Sequence, residues 1–342
     1  MKIEQEFIDV FCHWLPIEYY RKVKEVTTAP MNMLDRASTI PVMTNIQDRL
    51  AFMNQFPGYR QILSLVSPPI EFVADSSITP ALAKIANENM AGLISKHPGH
   101  FLGFIASLPM NNLSALLIET EHAIHELKAC GVQIFTNING KPLDQKEFLP
   151  LFEMMEKFNF PIWLHPARGM NYPDYRTEQY SKYEIWWALG WLYETSVAML
   201  RLVFAGIFSK FPKIKIIAHH AGAFIPAAEG RLGPGMEMMG NRTPKEFKYL
   251  IETKIKEKPL KVLKRFYTDT ATFGSKSGIK NAIEFFGIDH VLFASDMPFG
   301  PDFGASNIFN TIDAIKDIEI SKEDRQKICS ENIKQLINHR KS

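Results

Sequence analysis

The side chains best suited to chemistry sit at the ends of apolar runs. His13 closes one such run and His165 a second, the pair His219 and His220 closes a third, and Asp296 closes a fourth. Neutral imidazoles and a carboxylate are the donors that a zinc-like divalent ion takes. One histidine in such a place is as readily a structural or surface residue. Four run ends carrying His or Asp make coincidence harder to sustain. Imidazole also exchanges protons near neutral pH, and a carboxylate can hold a metal or pass a proton.

For these groups to meet, the runs must be strands whose ends point the same way. Eight β-rich runs stand at 7–14, 60–67, 101–108, 131–138, 161–165, 213–219, 266–271 and 290–295. Most are almost continuously apolar, as expected when both faces of a parallel sheet are covered. Helical patterns fall between them at 79–96, 113–129, 145–158, 183–210, 224–239 and 277–286. A last helical pattern, 321–339, closes the chain with Ser321 as its N-cap. The alternation predicts the α/β class: one (β/α)8 TIM barrel, with residues 1–342 as a single domain. An open doubly wound sheet is the competing arrangement. No GxGxxG loop follows the first strand, which weakens a dinucleotide-binding version of it. The connections 15–45, 167–182 and 233–257 exceed ordinary loop length. In a barrel, the loops after the strands line the active face.

Composition removes other classes of function. The 342 residues are 46% apolar and 22% charged, close to a globular average. Lys plus Arg is 39 and Asp plus Glu is 37, so no basic excess marks a nucleic-acid binder. Cys12, Cys130 and Cys329 are far apart and form no CxxC pair. A disulfide scaffold and a thiolate zinc site are therefore both disfavoured, and a reducing cytosol fits. Met1 to Asp9 is charged and does not read as a signal peptide. The stretch 186–208 is interrupted by Glu194 and Arg201 and reads as a buried helix rather than a membrane span. The expectation is a soluble cytoplasmic protein that meets neither nucleic acid nor membrane.

Four segments add a more specific signal: IDVFCHWLP (Ile8 to Pro16), WLHPARG (Trp163 to Gly169), IIAHHAGAF (Ile217 to Phe224) and VLFASDMPFG (Val291 to Gly300). Together with FLGFIASLPM, ELKACGVQIFTNING and FPKIKIIAH, they span nearly the whole chain. In this order they resemble the amidohydrolase-related metal-dependent barrels, and within these the aminocarboxymuconate-semialdehyde decarboxylase and γ-resorcylate decarboxylase group. The resemblance implies one divalent metal ion, Zn or Mn, held by His13, His165 and Asp296. It implies catalytic roles for His219 and Asp296, a small carboxylic acid as substrate, and a homodimer or higher homo-oligomer.

One position departs from the family. A His or Glu is expected two residues before the strand-one histidine, and Phe11 stands there. A benzyl group cannot ligate a metal. Strand alternation puts Asp9, Phe11 and His13 on one face and Val10 and Cys12 on the other, so Phe11 takes the missing ligand's place. Three protein ligands and a water still make a workable catalytic site. The alternative is weakened or lost metal binding. Alternation also lets only one of His219 and His220 meet the metal, unless the strand has already ended. His220 is then a hydrogen-bond partner near the site or a packing residue.

Arg168, Phe11 and His220 are the candidate substrate contacts. Arg168 could fork onto a substrate carboxylate, or pair with Asp174 or Glu178 in its own loop. Arg36 and Arg49 are weaker candidates of the same kind. Trp186, Trp187 and Trp191 are expected in helix packing or on a dimer surface rather than in a substrate cage. Asp269 either stands behind a ligand or caps a helix. Asp144 reads as the N-cap of the helix beginning near Gln145. His97, His100, His290 and His339 are expected at the surface.

Three functions follow. The first is a metal-dependent decarboxylase, a lyase acting on a small unsaturated or aromatic carboxylic acid. The second is a hydrolase of a small ester, lactone or amide on the same barrel, since fold does not fix reaction. The third, supported by Phe11, is a catalytically altered barrel that acts as a binding protein.

Overall fold

The computed structural model describes residues 5–337. His339 and the N-terminal residues Met1 to Glu4 lie outside the described residues. Strands β1 (Phe7–Trp14), β2 (Tyr59–Leu65) and β3 (Phe101–Phe104, continued by Ala106–Ser107) are followed by β4 (Val132–Phe135) and β5 (Ile162–His165). Strands β6 (Ile216–Ala218), β7 (Tyr267–Asp269) and β8 (Val291–Leu292) complete the set. Each pairs in parallel with the next in sequence. Val10 N donates to Phe293 O (3.0 Å), and His13 N donates to Met297 O (2.8 Å). Those bonds join β1 to the segment leaving β8 and close the ring. The expected eight-stranded barrel is present, and all the strand ends carrying the candidate ligands open on one rim.

The strands form where the runs of apolar residues lie because both of their faces are buried. Ile8, Val10, Phe11, Ile62, Ile105, Trp163, Ile217 and Leu292 pack in the barrel interior. The outer faces pack against helices. On the helix Thr79–Lys96, the buried residues Leu82, Ala83, Ala86 and Met90 follow the helical period. The helix Lys276–Phe286 starts where Ser275 accepts a bond from Gly278 N, and stops at Gly287, whose φ is 87°. Ser321 caps its helix as expected, accepting from Asp324 N (3.0 Å). Asp144 does not act as a cap: both of its carboxylate oxygens take Arg201, at 2.8 and 2.9 Å. The helix expected over 224–239 breaks into Pro226–Ala228, Glu229–Leu232 and Met236–Met238. Gly233, Pro234 and Gly235 explain the break, since neither residue type sustains a helix.

Strand β1 carries a bulge. Its pairing with β2 slips by one residue between Asp9 and Cys12. Val10 and Phe11 therefore both join the interior cluster. The Asp9 carboxylate turns to the side of Cys12, where the Tyr59 hydroxyl donates to Asp9 Oδ2 (2.7 Å) and lies 3.6 Å from Cys12 Sγ. Strict alternation is thus corrected: Asp9 does not share a face with Phe11 and His13, and Val10 does not share one with Cys12. The three cysteines are buried and form no disulfide among the described residues. No helix among the described residues is long and apolar enough to cross a membrane.

Beyond β2, Glu71 lies on the short helix Ile70–Val73 and faces a small cavity shared with Ser107, Gln133 and Phe135. Its Oε1 has no hydrogen-bond partner. Burial pushes this carboxyl up to about 8. The folded state then keeps a proton that the unfolded state releases above the ordinary carboxylate range. Stability from this group is full below about pH 4.5 and is lost as pH rises toward about 8. Glu71→Gln is expected to match the wild type near pH 5 and to melt higher at pH 8. Equal melting temperatures at pH 8 would refute the assignment.

Candidate metal centre

His13, on the last turn of β1 toward the rim, is held from three sides. Its Nδ1 lies 3.1 Å from Ser64 Oγ, its Nε2 lies 3.0 Å from Asp296 Oδ1, and its carbonyl accepts from Arg49 Nη1 (2.8 Å). His165 ends β5 with Nδ1 2.8 Å from Pro166 O. A nitrogen facing a carbonyl oxygen carries the proton, so Nε2 keeps its lone pair. His219 follows β6, and its Nδ1 lies 2.6 Å from Asp269 Oδ2. The other oxygen of Asp269 accepts from Ala221 N (3.2 Å) and Ala271 N (2.9 Å). Asp269 thus stands behind a ligand candidate and is not a helix cap. Ligand atoms of His13, His165 and His219 lie within 4.8 Å of one another, and so do those of His219, His220 and Asp296.

Strand β6 ends at Ala218, and His220 has a φ of 59°. Alternation no longer applies at this point, and His219 and His220 both reach Asp296. The two rings stack at 3.7 Å between centroids. His219 Nε2 is 3.5 Å from Asp296 Oδ1, and His220 Nε2 is 3.7 Å from Asp296 Oδ2. Both distances exceed a well-formed hydrogen bond, and His219 Nε2 has no partner. Phe11 lies on His219 at 3.8 Å between centroids and 21° between planes. It fills the place of the missing ligand as a packing surface.

Burial sets much of the electrostatics. It opposes charge on Asp296, but the hydrogen bond to His13 and the close imidazoles of His219 and His220 outweigh it and hold the carboxyl well below its usual range. Burial pushes His165 well below the ordinary imidazole value, helped by His13, His219 and His220. His220 is also lowered, by burial and then by His219. Burial works against charge on His219 too, yet Asp269 and then Asp296 raise it to about 9. The site therefore offers neutral imidazoles at His165 and His220 beside an ionised carboxylate, with the buried Nε2 of His219 aimed among them and carrying a proton that a bound cation would displace. That donor set fits a divalent ion.

A cavity of about 690 Å³ opens over these groups. His13, His165, His220 and Asp296 line it, as do Trp186, Trp187, Trp191, Phe273 and Phe299. The tryptophans were expected in helix packing or on a dimer surface; instead they form a wall of the cavity. Their i, i+1, i+5 spacing gave no stripe because Leu189 separates two helices, Ile185–Ala188 and Gly190–Phe204. Arg36 also lines the cavity. Arg168 does not: its Nη1 pairs with Glu194 Oε1 at 2.9 Å, and the guanidinium sits over the Tyr172 ring at 5.1 Å. Neither Asp174 nor Glu178 takes it; these bond Ser181 and Lys182. Arg49 is fully buried behind β1, bonded to His13 O, Val42 O and Gln61 Oε1, and cannot meet a substrate. Phe11 and His219 are sealed from solvent and are not among the lining residues. Ser64 was missed by sequence reasoning, because it stands opposite His13 only through the register that the β1 bulge sets.

Comparison with known proteins follows the same lines. The family profile described as Amidohydrolase matches residues 8–338. The chain is 31% identical over 305 residues to a γ-resorcylate decarboxylase of Polaromonas sp., covering 86% of this chain and 88% of that protein. It is 28% identical over 239 residues to a 2-amino-3-carboxymuconate-6-semialdehyde decarboxylase of Dictyostelium discoideum, covering 70% of this chain and 62% of that protein. The crystal structure of a dihydroxybenzoic acid decarboxylase from Polaromonas sp., with bound manganese and the inhibitor 2-nitroresorcinol, superposes with a TM-score of 0.75 at 26% identity. It covers 98% of this chain and 97% of that one.

Proposed function

Because the chain belongs to the amidohydrolase family, we propose that it is a metal-dependent decarboxylase of a small aromatic or unsaturated carboxylic acid. The observation that carries this reading is the convergence of His13, His165 and Asp296 at the mouth of a tryptophan-walled cavity. We take these three residues as holders of one divalent ion, Zn or Mn. Bound there, the ion would supply positive charge to a substrate oxygen beside the carbon that loses CO2. The chain supplies the rest. His13 and His165 are braced by Ser64 and Pro166 O, so neither ring must reorganise. Trp186, Trp187 and Trp191 offer flat apolar faces to an aromatic ring and keep water from it. When the bond to the carboxyl carbon breaks, its electron pair stays on the ring carbon, which must then take a proton. Asp296 faces the imidazole of His220, and both line the cavity, where they can hold that proton.

Purified protein with added Mn or Zn is expected to release CO2 from at least one member of a panel of hydroxybenzoates and muconate-type acids. A chelator should abolish that release and the metal should restore it. Hydrolysis of an ester or lactone, with no CO2 from any acid, would replace this reading by the hydrolytic one.

We also take residues 1–342 as one domain, in the cytoplasm, working as a homodimer or higher homo-oligomer. A single ring of strands running from Phe7 to Leu292 supports the first, and buried cysteines without a disulfide support the second. The exposed side chains of Tyr175, Tyr180, Tyr183, Leu189 and Tyr193 support the third, since patches of this kind are commonly covered. Light scattering that finds a monomer at micromolar concentration would remove the homo-oligomer.

A further inference from the structure

We propose that His219 is a metal ligand, taking up the coordination lost at Phe11, and that His220 is the imidazole that meets the substrate. This rests on the metal-dependent reading above and departs from the roles that the family resemblance assigns. Three imidazoles here share one construction. His13, His165 and His219 each have Nδ1 occupied from behind, by Ser64, Pro166 O and Asp269. Their ligand atoms lie within 4.8 Å of one another. At His165 and His219 a carbonyl and a carboxylate behind Nδ1 fix the tautomer and aim Nε2 forward, as metal-bound histidines require, and the Ser64 hydroxyl holds the His13 ring in the same orientation. His220 lacks this construction, because its Nδ1 has no partner.

Exposure separates the pair in the same sense. His219 is fully buried and absent from the cavity wall, whereas His220 is part of that wall. A substrate in the cavity can touch His220 and not His219. Phe11 and His220 stack on His219, at 3.8 and 3.7 Å between ring centroids, so the ring has little room to swing outward. What remains for its unpartnered Nε2 is the point it faces, 3.5 Å from Asp296 Oδ1 and beside His13 and His165. A side chain that cannot ligate at position 11 is thus matched by an imidazole prepared to do so on the next layer of the ring.

The test is Mn2+ binding to metal-stripped protein, read by the electron paramagnetic resonance of free Mn2+. His165→Ala and His219→Ala are each expected to weaken Mn2+ binding by about 100-fold or more. Asp269→Asn, which spares the ligand but removes its brace, is expected to weaken binding by about 10–100-fold. His220→Ala is expected to hold Mn2+ within about threefold of wild type while kcat falls by at least about 100-fold. Should His219→Ala misfold, Asp269→Asn still decides the matter, with circular dichroism as the control for folding. Normal Mn2+ affinity in both His219→Ala and Asp269→Asn overturns the assignment while leaving the metal-dependent reading intact. Loss of Mn2+ affinity in His220→Ala overturns it as well. A wild type that binds neither Mn2+ nor Zn2+ overturns the metal-dependent reading itself.

Discussion

Asp296→Asn is expected to lower kcat/KM by about three orders of magnitude or more while leaving the protein folded. Asp296 is the acidic group in contact with His13, His219 and His220, at 3.0, 3.5 and 3.7 Å. Those imidazoles hold it ionised against the cost of burial. Asparagine keeps the shape and removes the charge that a divalent ion and a developing imidazolium would both need. The backbone tolerates the change, because asparagine is at ease at the φ of 64° found here. Steady-state kinetics and a thermal melt separate the two effects. Activity within tenfold of wild type would show that the carboxylate is dispensable.

Asp9→Ala is expected to cost roughly 3–5 kcal/mol of stability. The Asp9 carboxylate accepts from Phe11 N (3.2 Å), Ser295 N (3.2 Å), Tyr59 OH (2.7 Å) and Ser295 Oγ. All of these groups are buried, so truncation leaves donors without partners rather than returning them to water. The hydroxyls can rotate toward new partners, but the two backbone N–H groups cannot. Asp9→Asn, which keeps one acceptor oxygen, should cost less than half as much. The midpoint of chemical unfolding measures both. A shift for Asp9→Ala no larger than that of an ordinary surface substitution would refute the account.

Much of this architecture was readable beforehand because it rests on local patterns. Continuous apolar runs marked the strands, and polar residues at their ends marked the rim; His13, His165, His219 and Asp296 do meet there. Phe11 stands out as a departure only against the family resemblance, which implies a ligand two residues before His13. What escaped depends on distant partners. A bulge between Asp9 and Cys12 is set by β2, so simple alternation assigned Asp9 and Val10 to the wrong sides. The partner of Arg168 is Glu194, 26 residues on, and not an acid in its own loop. The tryptophans face the cavity because a short helix precedes the long one, a junction that composition does not reveal. Asp269 could be seen at its strand end, but only the neighbouring strand supplied His219 as its partner.

The seam of the ring also bears on how the chain folds. His13 and Asp296 are separated by 283 positions, yet lie 3.0 Å apart. Contacts across this corner have the highest sequence separation in the ring, so their pairing is expected to weigh on the folding rate. Loop-closure entropy grows only logarithmically with length, and even so a loop of this span is among the costliest to close. An ion gripped by both residues would act as a clip between the two ends of the fold. Its binding energy would then count directly against unfolding, and the melting temperature should climb with metal concentration.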